Sequence, residues 1–277
     1  MSQPVALITG CSSGIGRALA EAFQAAGYQV WACARKAEDL AALGAAGFVA
    51  VELDVNDAAA VQRTANRLHS EAGRLDVLIN NAGYGAMGPL LDGGANAMRQ
   101  QFETNVFSLV ELTRQCFPLL RASRGLVVNI GSISSVLITP FAGAYCASKA
   151  AVHALSGALR LELAPFGVQV MEVQPGAIAS SFGANASHSA EQLVNEQSPW
   201  WPMREGIRAR ANASQDKPTP ASELAAILLA AVRKPQRPAL LRIGNGSRSL
   251  PFMVRWLPRK LLDRMMSKRF GLDRQLS

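Results

Sequence analysis

Seven short apolar runs recur along the chain, and the stretches between them mostly repeat apolar residues at helical spacing. The predicted strands cover residues 5–8, 28–34, 48–55, 76–79, 126–130, 168–173 and 239–243. Such short, continuous apolar runs indicate buried strands. Strand and helix alternate six times, which predicts an α/β fold with one doubly wound, seven-stranded parallel sheet. We assign residues 1–250 to this domain.

A glycine-rich turn follows the first predicted strand and precedes an amphipathic helical pattern. Residues 9–16 read Thr-Gly-Cys-Ser-Ser-Gly-Ile-Gly. Glycines let the backbone approach a pyrophosphate, and a helix N-terminus stabilises the charge of that group. The spacing Gly-x-x-x-Gly-x-Gly differs from the commoner Gly-x-Gly-x-x-Gly. With the strand before it and the helix after it, the turn nevertheless predicts a dinucleotide site.

The end of the second strand favours NADP(H) over NAD(H). Dinucleotide sites carry there an acid for the ribose 2′-hydroxyl, or an arginine for a 2′-phosphate. This chain has Arg35 and Lys36, and its next acid is Glu38. A guanidinium pairs with phosphate through two hydrogen bonds, whereas an acid would repel it. The alternative is that Arg35 and Lys36 simply begin a solvated helix.

Polar residues near the ends of later strands extend this site. Asp54, near the end of the third strand, either accepts from an adenine amino group or caps the helix that starts near Asp57. The fourth strand ends in Asn-Asn-Ala-Gly at residues 80–83, where amides can tie strand ends together and small residues leave room for a cofactor ring. Sheets of this class bind ligands at the carboxyl ends of their strands.

Tyr145 and Lys149 are four residues apart in a helix predicted over residues 144–164, so they share a face. An ammonium near a phenol favours the phenolate, and such a phenol exchanges protons with an alcohol or carbonyl oxygen. Ser132, after the preceding strand, supplies a hydroxyl to hold that oxygen. The alternative is an exposed tyrosine and lysine on an ordinary helix. Asn105, in a helix predicted over residues 95–120, either holds a water or bonds the backbone.

Residues 180–220 lack a regular pattern and hold Phe182 and two adjacent tryptophans, Trp200 and Trp201. A long insertion after a strand is typical of a mobile lid over a substrate site. Alternatively, the tryptophans pack onto the body of the domain.

Positive charge is concentrated in the C-terminal part of the chain. The net charge is +8, and residues 233–277 hold 12 Lys/Arg against 2 Asp/Glu. We assign residues 251–277 to a C-terminal extension, in which residues 258–270 are predicted to form a basic amphipathic helix. Its apolar face consists of Leu261, Leu262, Met265 and Met266. This helix would contact a membrane surface, a sister subunit or its own domain.

The composition is that of a protein with a real core, since 49% of its residues are hydrophobic. No apolar run is long enough to span a bilayer, and no signal peptide is visible. Four scattered cysteines without metal-ligand spacing indicate reduced thiols in a cytoplasmic protein, and no metal site is expected.

These motifs resemble those of the short-chain dehydrogenase/reductase family over residues 4–245, which implies a Rossmann domain. Residues 9–16 match its Thr-Gly-x-x-x-Gly-x-Gly motif, and residues 80–83 match its Asn-Asn-Ala-Gly motif. Ser132 stands thirteen positions before Tyr145, as is usual in the family. The resemblance implies a catalytic tetrad of Asn105, Ser132, Tyr145 and Lys149. Tyr145 would be the general acid/base, Lys149 would lower its pKa and bind the nicotinamide ribose, Ser132 would orient the substrate oxygen, and Asn105 would hold a relay water.

The resemblance also implies contacts of Asp54 and Val55 with adenine and of Ile178 with the carboxamide. The full predicted cofactor set is Gly10, Ser12, Ser13, Gly14, Ile15, Gly16, Arg35, Asp54, Val55, Asn81, Ala82, Gly83, Tyr145, Lys149, Pro175, Gly176, Ile178 and Ser180. Two positions depart from the family pattern. Ser180 stands where a threonine is usual, and Ser13 where many NADP-preferring members carry a basic residue.

The sequence therefore predicts an NADP(H)-dependent oxidoreductase that interconverts an alcohol and a ketone or aldehyde, resembling steroid and retinol dehydrogenases. The apolar lid indicates a small lipophilic substrate. A homo-oligomer is expected, in the cytoplasm or peripherally at a membrane. No nucleic-acid partner is expected, since nucleic-acid binding would rest on the basic tail alone. The alternative is a catalytically silent NAD(P)-binding regulatory or scaffold protein, against which the intact tetrad argues.

Overall fold

A parallel sheet forms the centre of the computed structural model, which describes residues 3–273 except for the side chains at positions 184, 185, 188, 189 and 192. Within that range its seven strands are β1 (Val5–Ile8), β2 (Gln29–Ala34), β3 (Val49–Glu52), β4 (Val77–Asn80), β5 (Leu126–Ile130), β6 (Gln169–Pro175) and β7 (Leu240–Ile243). Their order is β3-β2-β1-β4-β5-β6-β7, and each neighbouring pair is parallel. The predicted doubly wound parallel sheet is confirmed.

Helices cover both faces of the sheet. They are α1 (Gly14–Ala25), α2 (Ala37–Ala45), α3 (Ala58–Glu71), α4 (Leu90–Phe102), α5 (Ser108–Ser123), α6 (Gly143–Leu163), α7 (Phe182–Leu193), α8 (Arg204–Asn212), α9 (Ala221–Val232), α10 (Ser249–Trp256) and α11 (Arg259–Arg269). In β1, Ala6 and Ile8 join the buried cluster of α1 and α9, whereas Val5 and Leu7 join that of α3 and α5. Because alternate residues of a strand face opposite sides, burial of both faces requires continuous apolar runs.

Helical structure covers the predicted residues 95–120, but it is not one uninterrupted α-helix. The observed α4 begins at Leu90 and is kinked at Gly94, and a π-helical turn at Glu103–Phe107 separates it from α5. Asn105 lies in that turn, where its side chain accepts a hydrogen bond from the Tyr84 N–H and donates one to the Tyr84 carbonyl oxygen. Single π turns of this kind are frequent at functional sites.

Helices occupy much of the lid segment, where the sequence predicted irregular chain. α7 and α8 lie there, joined by a connection that includes a short 3-10 turn. Met203 and Ile207 are buried in an apolar cluster with Phe141 and Tyr145. Trp200 contacts Phe141 edge-on with ring centroids 6.3 Å apart, so this tryptophan packs onto the body of the domain, in line with the alternative.

The C-terminal extension folds back onto the same domain. α11 buries Leu262, and Phe270 just beyond it is 3% exposed in the cluster that contains α8. A methyl group on Gly206 of α8 would lie 2.0 Å from the Phe270 carbonyl oxygen, so the two backbones touch. Leu261 and Met265 stay exposed, and the predicted apolar stripe is therefore divided between the protein and solvent. Positions 274–277 of the predicted extension lie outside the described residues.

Membrane spans and metal-ligand clusters are both missing from the described part of the chain. Its helices are too short or too polar to cross a bilayer. No three His, Cys, Asp or Glu side chains gather there as metal ligands would. The four cysteines are buried and free.

Candidate active site

A cleft of about 650 Å³ runs along the carboxyl ends of the strands. The strand order reverses between β1 and β4, and sheets of this kind bind ligands at such a switch point. Every residue of the predicted cofactor set lines this cleft, and so does Ser132. Asn105 instead lines a smaller adjoining cavity of about 10 Å³.

The turn after β1 has a shape that requires glycine. Gly10 and Gly14 have φ angles of 71° and 58°, in the left-handed region. A methyl group on Gly16 would lie 2.1 Å from the Gly10 carbonyl oxygen. Ser13, which precedes α1, makes no side-chain bond to the first turn of that helix, so the N–H groups of the turn remain for a ligand. These residues fit the pyrophosphate of a dinucleotide.

Thr9 and Asn81 fix the glycine turn against the end of β4. The Thr9 hydroxyl accepts from the backbone N–H groups of Asn81 and Ala82 at 3.0 and 2.9 Å. The Asn81 amide donates to the carbonyl oxygens of Thr9 and Gly10 at 2.8 and 3.2 Å. The Thr9 hydroxyl is a part of the site that sequence reasoning missed, although it belongs to the motif.

The start of the lid segment contacts the same turn. The hydroxyls of Ser13 and Ser181 lie 3.0 Å apart, and a methyl group on Gly14 would lie 3.0 Å from Cβ of Ser180. Ser13, where relatives often have a basic residue, is therefore engaged with the lid.

Arg35 and Asp54 stand together beyond the ends of β2 and β3. Arg35 Nη1 is 4.0 Å from Asp54 Oδ2, and the two side chains are 72% and 46% exposed. Asp54 Oδ1 accepts from the N–H of Asn56 at 2.9 Å. The cap of α3 is Asp57, which accepts from the N–H of Ala59 at 2.8 Å. The capping role considered for Asp54 thus belongs to Asp57, and Asp54 lines the cleft.

α6 brings Tyr145 and Lys149 together in the cleft. Both side chains are more than nine-tenths buried, and Lys149 Nζ lies 6.0 Å from the centre of the Tyr145 ring. Lys149 Nζ donates to the carbonyl oxygen of Ile130, the last residue of β5, at 2.7 Å. Ser132 lies close enough to Tyr145 to lower the pKa of its phenol, and the Ser132 Oγ accepts from the N–H of Ser134 at 3.1 Å. The alternative of an exposed tyrosine on an ordinary helix is wrong.

Burial dominates the electrostatics of this pair. It raises the pKa of Tyr145 to about 12, against the opposing effects of Ser132 and Arg210. Burial also lowers the pKa of Lys149 to about 8, and Glu172 opposes that change. The expected lowering of the Tyr145 pKa by Lys149 is therefore not what this structure shows. The reason is that both groups lose hydration, which disfavours the charged form of each.

Asn105 ties the chain after β4 to α6. Its Oδ1 accepts from the Tyr84 N–H at 3.1 Å, and its Nδ2 donates to the Tyr84 carbonyl at 3.0 Å and to the Ser148 hydroxyl at 3.1 Å. Asn105 and Lys149 both line the cavity of about 10 Å³, which is close to the size that admits one water. Tyr84 and Ser148 have no motif that would have identified them in the sequence.

Apolar side chains line the part of the cleft beside Tyr145. Phe182 faces Tyr145 with ring centroids 5.4 Å apart, and Met266 and Phe270 of the C-terminal extension add to the same wall. Arg210 of α8 also lines this part of the cleft and is only 7% exposed. Sequence reasoning placed Met266 on the apolar face of the C-terminal helix, but it did not assign Met266, Phe270 or Arg210 to the cleft. These residues come from segments that are far apart in the chain.

The fold and this site define a dinucleotide-dependent oxidoreductase built on a single sheet. A family model described as short chain dehydrogenase matches residues 4–191. The chain belongs to the short-chain dehydrogenase/reductase family, and it is an NAD(P)-dependent oxidoreductase acting on alcohol and ketone groups.

Similar proteins support this assignment. The NADPH-dependent 1-acyldihydroxyacetone phosphate reductase of Saccharomyces cerevisiae is 31% identical, with 99% of this chain and 94% of the yeast protein covered. The 3-ketodihydrosphingosine reductase of Bacteroides thetaiotaomicron is 38% identical, with 71% of this chain and 72% of that protein covered. A solved short-chain dehydrogenase from Streptomyces avermitilis is 32% identical and covers 99% of this chain and 100% of its own, with a TM-score of 0.81. The predicted family and reaction class are confirmed.

Proposed function

We propose that the protein is an NADP(H)-dependent oxidoreductase that interconverts an alcohol and a ketone or aldehyde on a lipophilic molecule. The observation that carries this proposal is the position of Tyr145. Tyr145 shares one cleft with Ser132 and with the glycine turn, and its ring faces Phe182. A substrate carbonyl beside Tyr145 would thus lie between the cofactor half and the apolar half.

The four tetrad residues take distinct roles in this proposal. The raised pKa keeps the Tyr145 phenol protonated at neutral pH, so in the reducing direction it donates its proton to the substrate oxygen. Ser132 holds that oxygen beside the phenol. The Lys149 cation stabilises the phenolate that remains, and Asn105 holds a water next to Lys149 from which the proton is replaced. When bound, the nicotinamide supplies or accepts the hydride.

Arg35 supports a preference for NADP(H). It lines the cleft beyond β2, where the adenosine ribose binds in this fold. Its side chain is largely exposed, and among the described residues its ion pair is with Asp54, with 4.0 Å between Arg35 Nη1 and Asp54 Oδ2. A guanidinium with so weak a partner is available to a 2′-phosphate. The yeast relative is likewise described as NADPH-dependent.

The apolar wall supports a lipophilic substrate. Phe182, Met266 and Phe270 line the cleft and belong to one apolar cluster with Tyr145. Two relatives are named as reductases of lipids that carry a ketone, 1-acyldihydroxyacetone phosphate and 3-ketodihydrosphingosine. We propose the same substrate class for this chain. A catalytically silent binding protein would not need the buried Tyr145 and Lys149.

Reduction of a lipid panel by NADPH tests the proposal. The panel contains 3-ketodihydrosphingosine, 1-palmitoyl-dihydroxyacetone phosphate and its dephosphorylated form, and NADPH fluorescence follows turnover. Tyr145→Phe should still bind NADPH, while its turnover falls by roughly two to four decades, because only the proton donor is lost. Near-normal turnover in this variant would defeat the role of Tyr145. NADPH binding without turnover of any carbonyl compound would favour the silent alternative.

For the whole chain we propose a cytoplasmic homo-oligomer with one catalytic domain, 1–250, and the extension 251–277 as an added contact surface. α10 supports this role, since Phe252 and Trp256 are 65% and 66% exposed beside Arg255. Co-sedimentation with anionic and neutral vesicles tests peripheral membrane contact. Binding to anionic vesicles that fades with salt and disappears on truncation after Pro251 would support it. If the protein does not bind vesicles and truncation changes its molecular mass in solution, the extension takes part in oligomer assembly.

A further inference from the structure

A buried arginine without a carboxylate partner lies in the substrate half of the cleft. Arg210 is 7% exposed, yet no Asp or Glu of the described residues forms an ion pair with it. Burial lowers the pKa of Arg210, but an arginine stays protonated in a protein. Removing a cation from water without a counter-charge is unfavourable, so this position is one where an anion would be stabilising.

Few of the Arg210 donors are used within the protein. Nε donates to Thr139 Oγ1 at 2.5 Å, and no other hydrogen bond of the guanidinium is found among the described residues. A guanidinium has five N–H donors in a planar fork, so most of the fork is left for a ligand. Arg210 and Thr139 both line the cleft, which is where that ligand would lie.

A second cation faces the same space. Arg269, at the end of α11, lines the cleft and repels Arg210. Its guanidinium lies over the Phe270 ring, 5.6 Å from the ring centre, and among the described residues it also lacks an acidic partner within ion-pair distance. An oxyanion between two guanidinium groups offsets their mutual repulsion and accepts hydrogen bonds from both.

We infer that Arg210 and Arg269 form an anion subsite, which binds a phosphate or carboxylate group carried by the lipophilic carbonyl substrate itself. This inference rests on the proposed function and narrows its substrate class. Arg210 and Tyr145 line the same cleft, so one substrate molecule can present its anionic group to Arg210 and its carbonyl to Tyr145. The hydrocarbon chain then lies along the wall that Met266 and Phe270 form.

Binding of ligands without a carbonyl tests the subsite independently of turnover. Decyl phosphate, decanoate and decanol are titrated into the full-length protein in the presence of NADP⁺, with the fluorescence of the adjacent Trp200 and Trp201 as the signal. Arg210→Gln should raise the Kd of an anionic probe roughly 10- to 100-fold and change that of decanol little. Whichever of decyl phosphate and decanoate loses more affinity on this substitution identifies the preferred anion. Equal affinity of the wild type for all three probes would overturn the inference.

Matched variants separate anion binding from structural damage. Arg208→Gln removes a charge from the same helix, but Arg208 is 58% exposed and pairs with Glu191 at 3.6 Å, so anion binding should not change. Arg210→Lys keeps the charge and should recover much of the affinity. If Arg210→Gln does not fold, the exposed Arg269→Gln takes its place, and unchanged anion binding in that variant would overturn the two-arginine subsite.

Turnover then distinguishes the subsite from an effect on Tyr145. The ratio of kcat/KM for 1-palmitoyl-dihydroxyacetone phosphate to that for its dephosphorylated form should fall roughly 10- to 100-fold in Arg210→Gln. An equal fall for both compounds would mean that Arg210 acts through Tyr145 and would overturn the inference. If no carbonyl compound is reduced but decyl phosphate binding depends on Arg210, the proposed function fails while the subsite stands.

Discussion

Replacing Lys149 by methionine should stabilise the protein while it removes activity. The side chain is 6% exposed, and burial lowers the pKa of Lys149 from its ordinary value of 10.5 to about 8. That difference corresponds to about 3 kcal/mol of destabilisation at pH values where the ammonium is charged both folded and unfolded. Part of this is not regained, because the Ile130 carbonyl loses its donor, which costs about 1–3 kcal/mol. We expect Lys149→Met to raise the free energy of unfolding near neutral pH by about 1–2 kcal/mol.

The pH dependence of this difference has a definite sign. Between pH values of about 8 and 10.5 the unfolded chain keeps the Lys149 proton, whereas the folded protein has released it. The unfolded state then binds more protons, so stability rises with pH in this window. Between about pH 7 and pH 9.5, the free energy of unfolding of the wild type should therefore rise by about 2 kcal/mol relative to that of Lys149→Met. Urea unfolding followed by tryptophan fluorescence measures both proteins at each pH.

A surface lysine provides the control for this experiment. Lys234 is exposed, so Lys234→Met removes one positive charge that is hydrated in both states. Its effect on the free energy of unfolding should therefore be nearly independent of pH. The reasoning is refuted if Lys149→Met is less stable than the wild type near neutral pH. It is also refuted if the difference between the two proteins is the same at both pH values, because the ammonium would then be hydrated in the folded state.

Three further substitutions test other contacts. Arg35→Ala should weaken NADPH binding by about 5- to 30-fold and leave NADH binding nearly unchanged, because an exposed charge-assisted pair with the 2′-phosphate is lost. Titration of both nucleotides measures this effect. A wild type that prefers NADH would contradict the role proposed for Arg35. Gly16→Ala places a methyl group 2.1 Å from the Gly10 carbonyl oxygen, so it should abolish binding of both nucleotides in the same titration; unaltered binding would exclude the turn as their cradle. Gly206→Ala places a methyl group 2.0 Å from the Phe270 carbonyl oxygen and should displace α11. The KM should then rise more for long-chain than for short-chain carbonyl compounds. An equal rise for both would contradict the proposal that α11 forms a wall of the substrate site.

The sheet could be predicted because a strand that is buried on both faces is a continuous apolar run in the sequence. β5 was predicted at residues 126–130 and spans Leu126–Ile130. The third strand was predicted to reach residue 55 but ends at Glu52. There the Asp54 carboxylate accepts from the N–H two residues later, a local turn that the apolar pattern does not register.

Helix continuity was harder to predict than helix existence. The apolar positions around Phe102, Val106 and Leu109 fit one helix, yet a π turn interrupts it. Asn105 was recognised by its polarity, but its partners Tyr84 and Ser148 are 21 and 43 residues away in sequence. Such contacts depend on the tertiary arrangement of several elements, which one stretch of sequence does not encode.

The arginines of α8 show the same limit for the candidate site. Arg204, Arg208 and Arg210 look equivalent in the sequence. In the structure, Arg204 lies 4.9 Å from the centre of the Trp201 ring, and Arg208 pairs with Glu191 at the surface. Only Arg210 is turned inward to the cleft, so its position, and not its residue type, makes it a candidate for substrate recognition.

The basic C-terminal extension acquires a different meaning once its packing is known. The sequence presents it as a separate tail, for which the high positive charge suggests an anionic surface as the partner. In the structure, Arg259 pairs with Asp263 in solvent, whereas Arg269 lines the cleft near Arg210. In the subsite proposed above, one anionic lipid would contact the apolar wall at Phe270 and both arginines, of which Arg210 is buried and Arg269 is exposed. The extension therefore lines the cleft with residues of and after α11, while α10 exposes the apolar side chains of the proposed contact surface.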